Sequence, residues 1–185
     1  MNVYDFDKTI YDGDSTIDFY VFCLKKSPQI VMCLPAQLIA MIKYKLKIID
    51  KTKMKEEFYC FFRQVPDLSI EIKRFWDENE YKIKGWYAKK RKESDVIISA
   101  SPEILLKEIC NRIGVNHLIA SNVDKTGKYV GTNCYGKEKV SRYFEQFPNG
   151  IIEEFYSDSY SDEPLAKIAK KSFLVSKNSV KKWYS

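Results

Sequence analysis

The sequence predicts an α/β fold in which a parallel-sheet core carries an inserted all-α segment. From residue 93 onward, short apolar runs alternate with segments of helical spacing, which is typical of βαβ units. The run Asn2 to Asp7 also has the composition of a strand, but helical spacing follows it from Thr16 to about Lys92. Because a lone first strand needs partners, we expect it to join the later strands. The predicted core therefore comprises residues 1–13 and 93–185, and residues 14–92 form a helical cap.

The predicted cap begins after a turn. Residues Tyr11 to Ser15 (YDGDS) have turn and helix-capping chemistry. Apolar residues then recur at spacings of three and four in two stretches, residues 17–24 and 54–62. A proline removes a backbone donor and ends or kinks a helix, so the prolines divide this segment into several helices. These prolines are Pro28, Pro35 and Pro66.

The second half predicts the remaining elements of the core. A β-branched run follows the cap, and the next helix has a proline at its start and Gly114 after its end, as helices prefer. The predicted order is strand Asp95 to Ser99, helix Pro102 to Ile113, strand His117 to Ala120, hairpin Ser121 to Thr132, helix Lys137 to Phe147, strand Ile151 to Tyr156, helix Pro164 to Lys171 and strand Phe173 to Ser176.

Composition excludes several classes of protein. With 185 residues, 45% of them hydrophobic, the chain buries a sizeable core, which excludes a disordered protein. The net charge of +6 suits an anionic substrate or an acidic membrane surface but does not establish nucleic-acid binding. A single histidine, His117, excludes multi-histidine metal sites. The five cysteines lack CxxC spacing, which favours reduced thiols in the cytoplasm. The uncharged stretch Ser27 to Ile42 is shorter than the roughly 20 residues of a spanning helix.

Acidic and basic residues follow the predicted strands. Asp5 and Asp7 lie at the end of the first strand and face the same side of it, Ser99 ends the second, and Asp158 and Asp162 follow a later one. The carboxyl ends of parallel strands face one cleft, so we expect these groups to converge there. Singly, each has a structural explanation as a solvated loop acid, an ST-turn serine or one of two exposed acids on a helix. A lysine before the later helix joins the set, and Lys139 and Lys137 are alternatives for it.

These residues resemble the four ordered motifs of the haloacid dehalogenase (HAD) superfamily. The matching sequences are DFDKT, IISAS, a lysine before a helix and YSDSYSD. The resemblance covers the whole chain and implies a HAD-like Rossmannoid core with an inserted all-α cap. The position of the insertion is similar to the helical-cap class that includes phosphoserine phosphatases. SPE, GxEKV and YSDSxxDxP are most similar to the phosphatidylglycerophosphatase C type.

Phosphoryl chemistry and the resemblance together imply an Mg²⁺-dependent phosphatase. A carboxylate attacks a phosphate dianion only when the phosphate charge is neutralised, and Mg²⁺ is bound by one or two carboxylates with phosphate oxygens and water. The resemblance implies that Asp5 is the nucleophile and Asp7 the general acid and base. The implied metal ligands are Asp5, Asp158, the main-chain carbonyl of Asp7 and, through water, Asp162. The implied phosphate contacts are Ser99, Lys139 and the backbone near Phe6 and Ala100, with Thr9 ordering the loop.

The substrate stays open between two classes. Apolar residues from Ile30 to Ile42 are followed by three lysines, Lys43, Lys45 and Lys47. Such a stretch is ordinary helical core or an interfacial helix that delivers a lipid phosphate such as phosphatidylglycerophosphate. The first alternative suits a small metabolite, and the second suits peripheral contact with the inner face of a membrane. The basic run 89–92 either joins these lysines near acidic headgroups or is a solvated helix end, and Arg63, Arg74 and Arg91 are candidate second phosphate contacts. Asp14 is expected to cap a helix, the alternative being the acid with which phosphoserine phosphatases bind an amino group.

A third possibility is a basic module that binds a membrane or nucleic acid without catalysis. It predicts a steep salt dependence of binding and no dependence on a metal. The complete set of acids, Asp5, Asp7, Asp158 and Asp162, argues against it. We expect no nucleic-acid partner.

Overall fold

The computed structural model of the chain describes residues 1–177 and 179–184 and contains a six-stranded sheet. The sheet order is β3-β2-β1-β4-β5-β6, and every pairing is parallel except that of β5 with β6. The predicted α/β fold is therefore confirmed. Residues 178 and 185, within the predicted core range, lie outside the described residues. The strands are β1 Asn2–Tyr4, β2 Val96–Pro102, β3 His117–Ser121, β4 Glu154–Ser157, β5 Lys171–Ser176 and β6 Ser179–Lys182.

The connection between β1 and β2, which the structure describes throughout, contains helices joined by short loops but no strand, and we call residues 15–90 of it the helical segment. Three short 3₁₀ turns, Pro28–Cys33, Tyr59–Gln64 and Glu80–Lys82, separate helices there. The division into core and cap stays a prediction. The helices of the chain are α1 Ser15–Lys26, α2 Leu34–Lys45, α3 Lys51–Phe58, α4 Leu68–Asn79, α5 Gly85–Lys90, α6 Glu103–Arg112, α7 Lys137–Gln146 and α8 Glu163–Ala166.

Both faces of the sheet are buried, and alternate residues of a strand enter different clusters. On β1, Val3 packs with α7 and α8, whereas Tyr4 packs with the helical segment and α6. The helical segment shares its buried cluster with the sheet. Trp76 of α4 packs edge-on against Phe6, with ring centroids 6.0 Å apart, and its Nε1 donates to the Leu105 carbonyl at 2.8 Å. The helical segment is thereby fixed to the end of β1.

Several predicted boundaries are wrong near the end of the chain. The helix predicted from Pro164 to Lys171 is only α8, Glu163–Ala166, because the next residues pair with the strand beside them. The backbone N–H of Lys170 donates to Ile152 O at 2.9 Å, which takes the chain away from helical hydrogen bonding. The strand predicted from Ile151 begins at Glu154, and β6 was not predicted. The predicted hairpin through residues 125–127 contains an isolated antiparallel β-bridge between Val123 and Tyr129 rather than two strands.

The apolar stretch before the lysines does not form ordinary helical core. Ile30 is buried, but within α2 only Gln37 and Ala40 are buried, and most of its large apolar side chains are exposed. Among the described residues, no helix combines the length and the apolar character needed to cross a bilayer.

Candidate active site

The topology places a cleft at the carboxyl ends of β1 and β4. The chain proceeds from β1 to β2 and β3 on one side and then returns to β4 on the other side of β1. At such a switch point, the loops after the two strands diverge and leave a crevice. A cavity of about 390 Å³ lies there. Its lining includes every predicted carboxylate together with both predicted side-chain phosphate contacts: Asp5, Asp7, Asp158, Asp162, Ser99 and Lys139.

A buried lysine in the cavity lining, Lys139, lies between two carboxylates. Lys139 Nζ lies 2.8 Å from Asp5 Oδ1 and 2.7 Å from Asp162 Oδ2. Ser157 Oγ donates to the same Asp162 oxygen at 2.8 Å. Lys139 and Asp162 are almost completely buried, so water screens this array weakly. Asp162 therefore does not lie on an exposed helical face.

The start of α7 determines which lysine enters the site. Gly136 precedes the helix with a φ of 59°, in the left-handed region that favours glycine. Within α7, Lys139 and Tyr143 are both buried and lie four residues apart on one face. Lys137 is exposed and does not line the cavity. The geometry therefore favours Lys139 over Lys137.

Asp7 is held by hydrogen bonds at both carboxylate oxygens. Ser15 N donates to Oδ1 at 2.6 Å, and Ser101 Oγ donates to Oδ2. Thr16 Oγ1 lies 3.2 Å from Ser101 Oγ and extends the network. Because these partners come from α1 and the end of β2, the Asp7 side chain is oriented by two separate parts of the chain.

Ser99 belongs to a turn at the irregular end of β2. Its Oγ accepts the N–H of Ser101 at 3.1 Å, which is the ST-turn arrangement, and the residue also lines the cavity. The carbonyl of Ala100 accepts hydrogen bonds from Lys55 Nζ at 2.9 Å and Ser121 Oγ at 3.2 Å. Ser99 can therefore both form the ST-turn and donate to a phosphoryl oxygen, because its Oγ accepts the hydrogen bond from Ser101 and its hydroxyl hydrogen remains able to donate.

Thr9 connects the loop after β1 to the loop after β4. Its Oγ1 accepts the N–H of Asp158 at 2.9 Å and lies 3.4 Å from Asp5 Oδ2. The loop after β1 turns sharply, because the carbonyl of Phe6 accepts the N–H groups of Ile10 and Tyr11, each at 3.0 Å. These contacts are consistent with the predicted role of Thr9, which is to order the loop after β1.

Comparison with known proteins identifies the family of this chain. A model of the haloacid dehalogenase-like hydrolases matches residues 3–167. The chain belongs to this family. The predicted HAD resemblance is thereby confirmed, whereas the phosphatidylglycerophosphatase C type stays a prediction. No match was found among curated proteins.

Solved structures with the same fold include three from bacteria. A protein of unknown function from Bordetella pertussis Tohama I is similar over 93% of this chain and 87% of its own, with a TM-score of 0.76 and 18% identity. A phosphoserine phosphohydrolase-like protein from Francisella tularensis has a TM-score of 0.55 and 15% identity, over 93% and 86%. A probable phosphoserine phosphatase from Vibrio cholerae has a TM-score of 0.61 and 11% identity, over 92% and 55%. At these identities, the likeness shows the fold of this HAD hydrolase.

Burial dominates the electrostatics of the HAD hydrolase site. It raises the pKa of Asp5 to about 7, against the opposing effect of Lys139. It also raises the pKa of Asp7, with a contribution from Asp14, and the pKa of Asp158. Burial lowers the pKa of Lys139, but the carboxylates of Asp5 and Asp162 outweigh this and hold it above its ordinary value. Lys139 therefore stays a cation at neutral pH.

The carboxylates suit a hard divalent cation that also binds substrate oxygens. Among the described residues, no three metal-ligating side chains are close enough together to hold an ion without other ligands. Mg²⁺ often has only one or two protein carboxylates, the rest being water and phosphate oxygens. Asp162 Oδ1 is buried without a hydrogen-bond partner among the described residues, and the set contains only oxygen donors. The residues therefore fit Mg²⁺ bound together with a phosphate.

Two lysines in the cavity were not predicted. Lys51 and Lys55 lie one turn apart on α3 and both line it. Burial lowers the pKa of Lys55 to about 8. None of the three predicted arginines lines the cavity: Arg63 bonds to Thr126 O, Arg74 to Glu71, and Arg91 is exposed.

Asp14 has the role expected from the sequence. Its side chain accepts the N–H of Ile17 at 3.1 Å and caps α1, and the residue also lines the cavity. The basic run 89–92 lies away from the cavity. A local signal existed for Lys55, its spacing of four from Lys51, but nothing local indicated that Lys55 approaches β2.

Proposed function

We propose that this HAD hydrolase is an Mg²⁺-dependent phosphomonoesterase that forms an aspartyl-phosphate on Asp5. The observation that carries the proposal is the convergence of Asp5, Asp7, Lys139 and Asp162 on one cavity at the switch point of the sheet. An attacking carboxylate, a held carboxyl group and a buried cation are the groups that in-line phosphoryl transfer needs.

In the first step, an Asp5 carboxylate oxygen forms a bond to phosphorus while the bond from phosphorus to the leaving oxygen breaks. Asp7 gives its proton to that oxygen, so the product leaves as an alcohol. The raised pKa of Asp7 supports this role, because it increases the protonated fraction available to a general acid. Lys139 and Ser99 would hold phosphoryl oxygens, together with backbone N–H groups near Phe6 and Ala100.

In the second step, Asp7 takes a proton from a water molecule whose oxygen attacks the phosphorus. The bond from phosphorus to the Asp5 oxygen breaks, which releases inorganic phosphate and regenerates both carboxyl groups. Asp5, Asp158, the Asp7 carbonyl and, through water, Asp162 would hold Mg²⁺, which when bound neutralises phosphate charge. Thr9 supports this arrangement by holding the Asp158 loop against the Asp5 loop.

The part of the cavity lining that the helical segment supplies favours a leaving group with an apolar part and a second negative charge. Ile17, Met41, Met54 and Phe58 belong to this part together with the cations Lys51 and Lys55. This combination favours a lipid phosphate such as phosphatidylglycerophosphate. A small phosphoserine-like metabolite is the second candidate, because Asp14 lies in the cavity, where its carboxylate would attract an amino group.

The test is phosphate release from a panel of phosphatidylglycerophosphate in detergent, phosphoserine, sugar phosphates and nucleotides, with Mg²⁺ and with a chelator. We expect Asp5→Asn to reduce release by at least about 10³-fold while Asp12→Asn, an exposed carboxylate on the same loop, stays near wild type. A hydroxylamine-sensitive phosphoryl label on wild type but not on Asp5→Asn would identify the intermediate. Full activity of Asp5→Asn would contradict the proposal. Folded protein that neither binds Mg²⁺ nor hydrolyses any substrate would favour the binding-module alternative.

A further inference from the structure

We propose that the outward face of α2 docks on an anionic lipid bilayer and sets the mouth of the cavity against the membrane. We call this surface the α2 face. It consists of the exposed apolar residues Leu38, Ile39, Ile42, Leu46 and Ile48 with the exposed lysines Lys43, Lys45 and Lys47.

The α2 face is apolar on the side that meets solvent. Leu38 is 56% exposed, Ile42 is 57% and Leu46 is 65%, and these residues follow one another at spacings of four. Every residue from Met41 to Ile48 is exposed. Single exposed apolar residues are ordinary, but a contiguous group of them indicates an interaction surface.

The helix is attached to the protein by its small and polar side. Gln37 is buried, accepts a hydrogen bond from Tyr20 Oη at 3.1 Å and donates to Phe58 O at 3.0 Å. Ala40, three residues later, is the other buried residue of α2. In α4 the arrangement is reversed, because Phe75 and Trp76 are buried in the common cluster. α2 therefore directs its small and polar side to the protein and its large apolar side to solvent, which is the reverse of the arrangement in a helix that packs on a core.

The charged residues of the α2 face itself are all lysines, and Glu57 of α3 lines a neighbouring pocket with Ile39 and Lys43. No Asp or Glu occurs between Asp18 and Asp50, whereas that stretch contains five lysines, three of them in the α2 face. Apolar side chains flanked by lysines match the acyl boundary and the anionic headgroups of a bilayer. A bilayer accepts both parts of the surface at once, because lysine stems lie along it while the ammonium groups reach the headgroups.

A second copy of the chain fits the same face poorly. Symmetric pairing would bring the lysines of two faces together, and the face contains no carboxylate to neutralise them. A bilayer rich in anionic lipid has no such cost. The charge complementarity thus favours lipid over self-association.

The face is continuous with the candidate active site. Met41 belongs to α2 and lines the cavity, and Ile17, Met54 and Phe58 continue the apolar lining inward. A bilayer on the α2 face would therefore meet the side of the cavity through which an apolar leaving group enters. Delivery of a lipid substrate rests on the proposed function, but binding of the bilayer does not.

The experiment measures partition of the purified chain onto vesicles of phosphatidylcholine and phosphatidylglycerol in a two-to-one ratio, against phosphatidylcholine alone, at low salt. We expect binding only to the anionic vesicles. The triple variant Lys43→Gln, Lys45→Gln, Lys47→Gln should bind more weakly by about fivefold per lysine, on the order of a hundredfold. The variant Leu38→Gln, Ile42→Gln, Leu46→Gln should lose about tenfold or more.

Matched controls change the same residue types elsewhere on the surface. Ile70→Gln, Val130→Gln and Ile151→Gln alter exposed apolar residues, and Lys73→Gln, Lys107→Gln and Lys125→Gln alter exposed lysines outside both the α2 face and the basic run 89–92. Both controls should bind like wild type. Equal losses in the controls, or no binding of wild type to anionic vesicles, would overturn the proposal. A dimer in sedimentation that only the apolar variant disrupts would assign the face to a second copy instead.

Hydrolysis of a water-soluble phosphomonoester separates this inference from the proposed function. The α2 variants leave Met41 and the acids unchanged, so they should retain that activity. Vesicle binding by a wild-type protein that hydrolyses nothing would keep the docking surface and reject the phosphatase. Hydrolysis without vesicle binding would do the reverse.

Discussion

The two walls of the cavity are built on different principles. The sheet wall consists of Asp5, Asp7, Ser99, Lys139 and Asp162, and most of its charged groups contact one another or a neighbouring hydroxyl or amide. The helical wall consists of Ile17, Met41, Met54, Lys55 and Phe58, side chains from three helices with few mutual polar contacts. The groups of the sheet wall thus form hydrogen-bonded networks, whereas the side chains of the helical wall line the cavity with few polar contacts between them.

The difference separates chemistry from recognition. A change in a hydrogen-bonded network disturbs several groups together, so changes in the sheet wall should reduce turnover of every substrate. A change in the helical wall removes a local contact and should affect substrates unequally. The following predictions test this separation, and each is expected to have a smaller effect than the one before.

Asp7→Asn should reduce kcat for an alkyl phosphate by about 10²–10⁴-fold, the usual contribution of a general acid. An aryl phosphate releases a stabilised phenolate that needs little protonation, so its first step should lose much less. Rapid mixing that follows the burst of phenolate measures that step alone. Asp12→Asn is the control, because Asp12 is an exposed carboxylate on the same loop and does not line the cavity. Equal losses for the two leaving groups would contradict the role of Asp7.

Lys139→Met should lower the free energy of unfolding by about 3–5 kcal/mol, because it leaves two buried carboxylates without their cation. For a chain of this size, that corresponds to a fall in Tm on the order of 10 °C. The loss should shrink as the pH falls, because protonation of Asp5 removes one unpaired charge. Lys137→Met changes an exposed lysine of the same helix and should leave Tm nearly unchanged. An unchanged Tm in Lys139→Met would contradict the inference that Lys139 neutralises the buried carboxylates of Asp5 and Asp162.

Lys55→Met should raise KM by roughly tenfold for substrates with a second anionic group, while kcat changes little. The pKa of Lys55 is lowered to about 8, so its charge disappears as the pH rises through that value, and KM of wild type should rise with it. Lys55→Arg keeps the charge at every accessible pH, so its KM should stay flat over the same range. A parallel rise in both proteins would assign the pH dependence to another group. A substrate without a second charge should show no rise at all.

The sequence predicted the sheet wall because strand ends and parallel topology bring its members together. It did not decide between Lys139 and Lys137 as the lysine of the site. Lys139 lies on the same face of α7 as Tyr143, and helical spacing could have identified that face as the more buried one. The spacing of Glu71 and Arg74 on one helix also indicated a local ion pair rather than a phosphate contact.

The helical wall was less accessible to prediction, since its contacts are distant in sequence. Lys55 contacts the carbonyl of Ala100, 45 residues away, and no local pattern indicates which helix approaches β2. The same limit explains the shortened α8, which ends because the following residues pair with Ile152 and Glu153. The exposure of α2 depends likewise on Gln37, a polar residue that binds two other helices.

The central position of β1 also determines the order in which the protein can fold. β1 precedes both of its neighbours in the chain, since Val3 pairs with Val96 on one side and Phe155 on the other. Pairings of such long sequence separation form late, after local helices, because closing the intervening loops costs entropy. During synthesis, the strand that precedes Asp5 and Asp7 must wait unpaired until β2 has been made, and it gains its second neighbour only when β4 follows. Incomplete chains would therefore hold two of the acids but no assembled cavity, and they would expose an apolar strand that invites aggregation or chaperone binding.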